Sequence, residues 1–231
     1  MWERTRDKQR VRMYFRDRND AAQRLATALD ATYRGSHPLV LAIPRGAVPM
    51  GRVIADALGG DLDVALVRKL RAPGQPEFAV GAIDETGWAY IADYAASAGA
   101  DAGYLAREQA AQLAVLAERR ASYTPARPPL DPAGRTVIVV DDGLATGATM
   151  IAALHAVRAK RPAKLVCAVP VGAPDSVRKI APYADAVVCL ATPPDFYAVG
   201  QFYGSFPQVD DDEVRAILRR ATPAAAGDGE A

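Results

Sequence analysis

Short, largely apolar runs recur along the chain and are separated by stretches with the spacing or composition of helices. The runs lie at residues 39–43, 64–67, 136–140, 165–171 and 186–190. Because they are continuous rather than alternating, they predict strands that are buried on both faces. The helical stretches lie at residues 21–34, 48–58, 105–123, 149–161, 176–181 and 211–220. This alternation predicts an α/β fold with a mostly parallel central sheet flanked by helices.

Local signals refine several segments between these elements. Asp20 is the expected N-cap of the first helix. Residues 79–83 and 88–91 are expected to pair as a hairpin across a glycine-containing turn. Residues 68–78 combine prolines, a glycine and several charges, which predicts a flexible surface loop. Residues 193–207 place aromatic side chains among glycines and prolines, which predicts an aromatic loop.

The domain organisation follows from the length of 231 residues, which fits one sizeable domain. We expect this domain to span residues 13–220. Its segments 13–35 and 193–220 are expected to form a small hood over the sheet. Residues 1–12 are rich in arginine and lysine and predict a basic arm, whereas residues 221–231 predict a disordered tail.

Composition narrows the class of partner. The net charge is +1 and half of the residues are hydrophobic, so a small molecule is a better expectation than nucleic acid. No apolar run approaches the roughly 18 residues of a membrane-spanning helix, and we expect a cytoplasmic protein. Cys167 and Cys189 lie in apolar runs and are expected to be free, non-catalytic thiols. The two cysteines and the two histidines of the chain do not predict a structural zinc site.

The strand at residues 136–140 leads directly into two carboxylates, Asp141 and Asp142. Ligands of open parallel sheets bind beyond the carboxyl ends of the strands, which is where this pair is expected. The following residues let the backbone approach an anion and add hydroxyl donors: Gly143, Ala145, Thr146, Gly147, Ala148 and Thr149. The N–H groups at the start of the next helix favour a phosphate. Together these features predict a site for a phosphorylated sugar.

Other interpretations of the same segment fit less well. It contains no Gly-x-Gly-x-x-Gly pattern for a dinucleotide and no Gly-Lys-Ser/Thr ending for a nucleoside triphosphate. A purely structural turn with an incidental acid pair stays open. Two carboxylates at the end of a buried strand repel each other, however, unless a polar partner compensates.

Residues 137–149, with four apolar residues, two acids and a Gly/Thr-rich turn, resemble the signature of type I phosphoribosyltransferases. These enzymes bind 5-phosphoribosyl-1-pyrophosphate (PRPP). The resemblance covers about residues 13–214 and extends to a little-characterised subgroup with a Pro-Arg-Gly turn, here Pro44 to Gly46, and a segment like residues 196–203. It implies that Asp141 and Asp142 contact the ribose hydroxyls and that residues 145–149 bind the 5-phosphate. Gly46 would belong to a pyrophosphate loop that often contains a cis peptide.

The resemblance also implies a reaction, the transfer of a phosphoribosyl group from PRPP to a nitrogenous base. Arg68, Lys69 and Arg71 would lie at the root of a catalytic flexible loop. Arg45, Arg68 and Lys69 would stabilise the departing pyrophosphate. Mg²⁺ would be bound mainly through PRPP, without a direct protein ligand.

The acceptor base is not identified by the sequence. The aromatic residues Phe196, Phe202 and Tyr203 are candidates for stacking on it. Candidate acid/base groups are Glu77, Asp84 and Glu85. Two other functions stay open, a non-catalytic PRPP-sensing regulator and an enzyme that acts on another sugar phosphate. A homo-oligomer is also compatible with such a fold.

Overall fold

A computed structural model describes residues 14–125 and 128–221. The helices are α1 (Arg18–Tyr33), α2 (Ala47–Leu58), α3 (Ala102–Tyr123), α4 (Ala148–Ala159), α5 (Pro174–Ile180) and α6 (Asp211–Arg220). The strands are β1 (Leu39–Ala42), β2 (Asp61–Val64), β3 (Val67–Ala72), β4 (Gln75–Asp84), β5 (Ala89–Ile91), β6 (Thr136–Val140), β7 (Lys164–Val171) and β8 (Ala186–Ala191). The basic arm and nearly all of the tail lie outside the described residues, so both stay predictions.

The central sheet of the described chain has five strands in the order β2-β1-β6-β7-β8. Every neighbouring pair is parallel, and helices cover both faces, which confirms the predicted α/β fold. Val137 and Val139 pack in the apolar cluster on the α4 side, whereas Ile138 and Val140 pack in the cluster on the other side. Burial on both faces explains why β6 is a continuous apolar run.

The apolar run at residues 64–67 is not one strand, contrary to the prediction. β2 ends inside it, and β3 begins at its last residue as part of a separate antiparallel sheet, β3-β4-β5. β2 escaped detection because it contains two aspartates. Asp63 is 1% exposed and accepts hydrogen bonds from the Leu130 N–H at 2.9 Å and from Arg120 at 3.3 Å. Such partners make a buried carboxylate tolerable in a strand.

Residues 68–78 form parts of two strands rather than the predicted loop. β3 and β4 pair in antiparallel fashion, and β3 is braced on α3. The Tyr104 hydroxyl donates to the Arg71 carbonyl at 2.9 Å, and Arg68 Nε donates to Gln112 Oε1. The prediction was wrong because the glycine and one of the prolines are confined to a two-residue turn, Pro73 and Gly74, and the charged residues lie within the strands. Whether the hairpin moves during a reaction stays a prediction.

Two other predicted segments agree with the structure. The hairpin is confirmed as β4 and β5, with Ala82 opposite Tyr90, and the last helix has the predicted bounds. The first helix begins earlier than predicted. Its N-cap is Asp17, which accepts a hydrogen bond from the Asp20 N–H at 2.8 Å. Asp20 lies inside the first turn and pairs with Arg24 at 2.9 Å.

The predicted hood segments meet beside the sheet. Phe15 and Tyr203 form a parallel bridge, and the Gly204 N–H donates to the Phe15 carbonyl at 2.9 Å. The rings of Phe15 and Tyr203 lie 5.4 Å apart, and those of Tyr14 and Phe202 lie 5.7 Å apart. We call residues 14–18 and 202–207 the hood ladder.

Two expectations from composition concern membranes and thiols. No helix within residues 14–125 and 128–221 is long and apolar enough to cross a bilayer, and the cytoplasmic location stays a prediction. Cys167 and Cys189 are both free, and Cys167 is fully buried. Burial raises the pKa of each thiol, so both are held in the unreactive protonated form.

Candidate functional site

Two strand ends and two helix starts meet at one edge of the sheet. Ala42 pairs with Val140, and the Ile43 N–H donates to the Val140 carbonyl at 2.9 Å. The turn after β1 therefore lies beside the acid pair after β6, and α2 and α4 begin from these two turns. The peptide between Pro44 and Arg45 is cis, as the resemblance implied. Two helix N-termini at one edge favour the binding of anions.

The loop after the acid pair lines a cleft of about 180 Å³. This cleft is formed by residues 141–147, Thr149, Met150, Lys69 and Val199. Gly147 has a φ of +79° and directly precedes α4, a conformation that a side chain would strain. Ser176 Oγ, which the sequence did not single out, donates to the Ala145 carbonyl at 2.6 Å and braces the loop. A rigid concave loop at a helix start is suited to a phosphate group.

A second cleft, of about 320 Å³, adjoins the first at the acid pair. Its lining is strongly basic and is formed by Ile43, Pro44, Gly46, Val67, Arg68, Lys69, Arg71, Arg119, Asp141, Asp142 and Thr149. Burial, followed by the charges of Arg119 and Arg71, lowers the pKa of Arg68. Four cations gathered around two carboxylates favour a ligand group with several negative charges.

Asp141 and Asp142 line both clefts, as do Lys69 and Thr149, so the two clefts adjoin at the acid pair. Burial and the neighbouring Asp142 carboxylate raise the pKa of Asp141 well above its ordinary value, with Lys69 opposing. Burial also raises the pKa of Asp142, and Arg18 opposes this shift. A ligand that brings hydroxyl donors or a cation to this pair would stabilise its charged form.

Arg45 does not lie where the resemblance placed it. Its guanidinium is 3.6 Å from Asp211 Oδ2 on α6, and it lines neither cleft. Arg119 supplies a cation to the basic cleft instead. The sequence did not reveal this role because α3 is rich in charged residues, and only its packing against β3 shows which of them face inward.

Of the predicted stacking residues, Phe202 and Tyr203 are buried and Phe196 is half-buried. Tyr203 is 5% exposed and Phe202 2%, and the Phe196 ring packs 5.0 Å from that of Phe202. Such rings offer no open face to a base, which contradicts the stacking prediction for Phe202 and Tyr203. The Tyr203 hydroxyl instead donates to the Asp142 carbonyl at 2.7 Å. Within the described chain, Tyr197 is the aromatic residue of this segment that is largely exposed, at 86%.

Two of the three candidate acid/base groups have structural roles. Asp84 is fully buried and its Oδ1 accepts hydrogen bonds from the Thr86 and Trp88 N–H groups at 2.7 and 3.1 Å, which caps the β4–β5 turn. Glu85 pairs with Arg120 at 2.8 Å. Neither lines the clefts beside the acid pair. The side chain of Glu77 lies outside what the structure describes.

A parallel sheet whose edge holds an acid pair beside a helix-start loop and a basic cleft is the arrangement expected of a phosphoribosyl transferase. The sequence model of the phosphoribosyl transferase domain family matches residues 14–204 of this chain. The chain belongs to this family.

Particular relatives agree with this assignment. Proteins of two Mycobacterium tuberculosis strains, each named "Putative phosphoribosyl transferase", are 45% identical over 208 residues. The match covers 90% of this chain and 47% of theirs, so the chain spans about half the length of these relatives. The crystal structure of TT1426 from Thermus thermophilus is 47% identical with a TM-score of 0.76. That match covers 90% of this chain and 99% of the other.

Asp141→Asn is expected to stabilise the protein at neutral pH. Because the pKa of Asp141 is raised in the folded state, the folded protein binds more protons than the unfolded chain above the ordinary pKa. The carboxylate's contribution to stability therefore falls as the pH rises. The Tm advantage of the variant should be near zero at about pH 4 and should grow as the pH rises above that value.

Thermal unfolding across this pH range measures the effect. The exposed Asp93 provides a matched control, and Asp93→Asn should give a difference that does not grow with pH. A wild-type protein that is more stable than Asp141→Asn at about pH 8 would contradict the raised pKa of Asp141.

Gly46→Ala is expected to displace the acid pair. A Cβ at residue 46 would lie 2.2 Å from Asp142 Oδ2 and 3.0 Å from Arg18 Nη2, so the carboxylate must move. We expect PRPP affinity to fall by about tenfold or more, measured by calorimetry with Mg²⁺. Gly103→Ala in α3, where the nearest atom would lie 3.5 Å away, should leave the affinity unchanged. Equal PRPP affinities of Gly46→Ala and the wild type would contradict the expected displacement of the Asp142 carboxylate.

Proposed function

We propose that the protein transfers the 5-phosphoribosyl group of PRPP to a nitrogenous base and releases pyrophosphate. The acceptor would be a purine, a pyrimidine or a related heterocycle. One observation carries this proposal: Asp141 and Asp142 lie where a small loop-lined cleft adjoins a larger basic cleft. PRPP has a matching order of groups, with a ribose diol between a phosphate and a pyrophosphate.

The residues of the site suit this reaction. Arg68, Lys69 and Arg119 would stabilise the negative charge that develops on the departing pyrophosphate. Asp141 and Asp142 would hold the ribose hydroxyls and stabilise the positive charge that develops at the anomeric carbon. Pyrophosphate is already a good leaving group, so no protein nucleophile is required. Closure of the β3–β4 hairpin would exclude water as a competing acceptor.

The residues also fit a magnesium ion that arrives with PRPP. Within residues 14–125 and 128–221, no three His, Cys, Asp or Glu side chains converge as a metal site. Mg²⁺ is often bound through one or two carboxylates together with substrate phosphates, and Asp141 and Asp142 offer such oxygens. When bound, the ion would neutralise charge on the pyrophosphate.

Two alternatives differ from a transferase in ways that can be measured. A PRPP-sensing regulator would bind PRPP without turnover. An enzyme for another sugar phosphate would need the small cleft but not the second, basic one. The four cations of the basic cleft favour a ligand with a pyrophosphate.

The deciding experiment is ³¹P and ¹H NMR of the protein with Mg²⁺ and PRPP. Spectra are recorded without an acceptor and with each member of a panel of purines, pyrimidines and related heterocycles. Pyrophosphate release that depends on one acceptor would establish the transferase and identify that acceptor. Saturable PRPP binding without turnover across the panel would favour the regulator. If PRPP does not bind at all, both functions are wrong.

A further inference from the structure

Arg18 is the first residue of α1 and part of the hood ladder, and its side chain reaches the acid pair. Its Nε and Nη2 both donate to Asp142 Oδ2, at 3.0 and 2.9 Å. The Arg18 side chain is 12% exposed and that of Asp142 is 17% exposed. A charge-assisted pair of this kind is stronger and more directional than an ion pair in water.

The rest of the guanidinium is held by the protein as well. Nη1 donates to the Pro207 carbonyl at 2.5 Å, and Cζ lies 3.7 Å from the centre of the Phe206 ring. Pro207 and Phe206 belong to the other half of the hood ladder. These contacts make Arg18 a fixed part of the hood rather than a ligand for a substrate.

The hood holds Asp142 at a second point. The Tyr203 hydroxyl donates to the Asp142 carbonyl at 2.7 Å, while Arg18 binds the carboxylate. Both residues come from segments that pair with each other, since the Ser205 N–H donates to the Arg16 carbonyl at 2.8 Å. The hood ladder therefore fixes both the main chain and the side chain of Asp142.

The hydrogen bonds divide the four carboxylate oxygens of the acid pair. Asp141 Oδ1 accepts from the Asp142 N–H at 2.8 Å, and Asp142 Oδ2 accepts from Arg18. Among the described residues, no other residue donates a hydrogen bond to Asp141 Oδ2 or Asp142 Oδ1. One oxygen of each carboxylate is thus left to accept a hydrogen bond, which matches the two hydroxyls of a vicinal diol.

We propose that Arg18 is a positioning residue that orients Asp142 so that the acid pair selects a ligand with both ribose hydroxyls. This inference rests on the proposed ribose site but not on transfer chemistry. Arg18 acts through Asp142 and does not touch the sugar. Lysine cannot replace it fully, because an ammonium lacks the planar pair of donors that meets one carboxylate oxygen from two sides.

The test compares ribose 5-phosphate with 2-deoxyribose 5-phosphate, which differ by one hydroxyl, in calorimetric titrations. We expect the wild type to prefer ribose 5-phosphate by roughly tenfold, the effect of one hydrogen bond to a charged group. Arg18→Gln should lose most of this preference, and Arg18→Lys should keep part of it. The affinity for inorganic phosphate, which reports the loop cleft, should stay the same. Arg16→Gln is the matched control, since Arg16 is 79% exposed and also lies in the hood ladder.

Each outcome decides the proposal. Loss of the preference in folded Arg18 variants, with phosphate affinity intact, supports it. A preference retained in both variants overturns it, as does a wild type without any preference. If Arg18→Gln does not fold, the preference for ribose 5-phosphate is measured in Arg18→Lys and Phe206→Leu instead. The protein could show a preference for ribose 5-phosphate that depends on Arg18 and yet release no pyrophosphate from PRPP. That result would support this inference and contradict the proposed transferase function.

Discussion

Replacement of Asp141 and Asp142 together by asparagine should slow pyrophosphate release from PRPP by about a thousandfold or more. Both side chains keep their size, so the clefts should keep their shape. The amides carry no charge, however, and cannot stabilise positive charge at the anomeric carbon. Folding of the double variant is checked by its Tm, because Asp142→Asn also removes the carboxylate that pairs with the largely buried Arg18.

Initial rates of pyrophosphate release, measured with the acceptor identified by NMR, check this prediction. Asp93→Asn combined with Asp175→Asn is the matched control, because both residues are exposed and lie outside the two clefts. The control should keep the wild-type rate. A double variant of the acid pair that retains more than about a tenth of the activity would exclude these carboxylates from the reaction.

Arg120→Met should lower the free energy of unfolding by about 3–5 kcal/mol. Arg120 lies in α3 and joins three parts of the fold. It donates to Glu85 Oε2 at 2.9 Å, to the Val64 carbonyl at 3.1 Å and to Asp63 Oδ1 at 3.3 Å. The substitution removes a guanidinium from two carboxylates, of which Asp63 is 1% exposed. The loss of such a partner costs far more than the loss of a surface ion pair.

The adjacent residue offers a matched comparison. Arg119 lines the basic cleft, so Arg119→Met should weaken PRPP binding and leave the denaturation midpoint nearly unchanged. Arg120→Met should do the reverse. Urea unfolding and PRPP titration of both variants separate the two roles. A similar loss of stability in both variants would mean that the two arginines do not divide stability and binding in this way.

The elements that the sequence predicted well are those encoded by local pattern. β6 has the predicted bounds because four apolar residues precede two acids, and α6 has them because an aspartate caps a charged amphipathic turn. The small residues after Asp142 likewise predicted the loop cleft. In each case the sequence pattern and the structural feature that it predicts lie within about ten residues of each other.

The features that the sequence missed depend on distant partners. β2 contains Asp63, whose burial makes sense only with Arg120 and Leu130 beside it. Only the ion pair with Asp142 distinguishes Arg18 from the other arginines near the start of the chain. The aromatic residues around Tyr203 were expected to face a base, but they pack against the segment that contains Phe15. No local pattern distinguishes such partners in advance.

The hood ladder also constrains the order of folding. Phe15 pairs with Tyr203, so two distant parts of the described chain must come together before the ladder exists. Contacts with such a large sequence separation carry a high loop-closure cost and form late. A chain synthesised from its N-terminus can therefore assemble β1 and β6 and expose the acid pair before residues 202–207 are available. In that interval Asp142 has neither its guanidinium partner nor the Tyr203 hydroxyl, and the site matures only after residues 202–207 have been made.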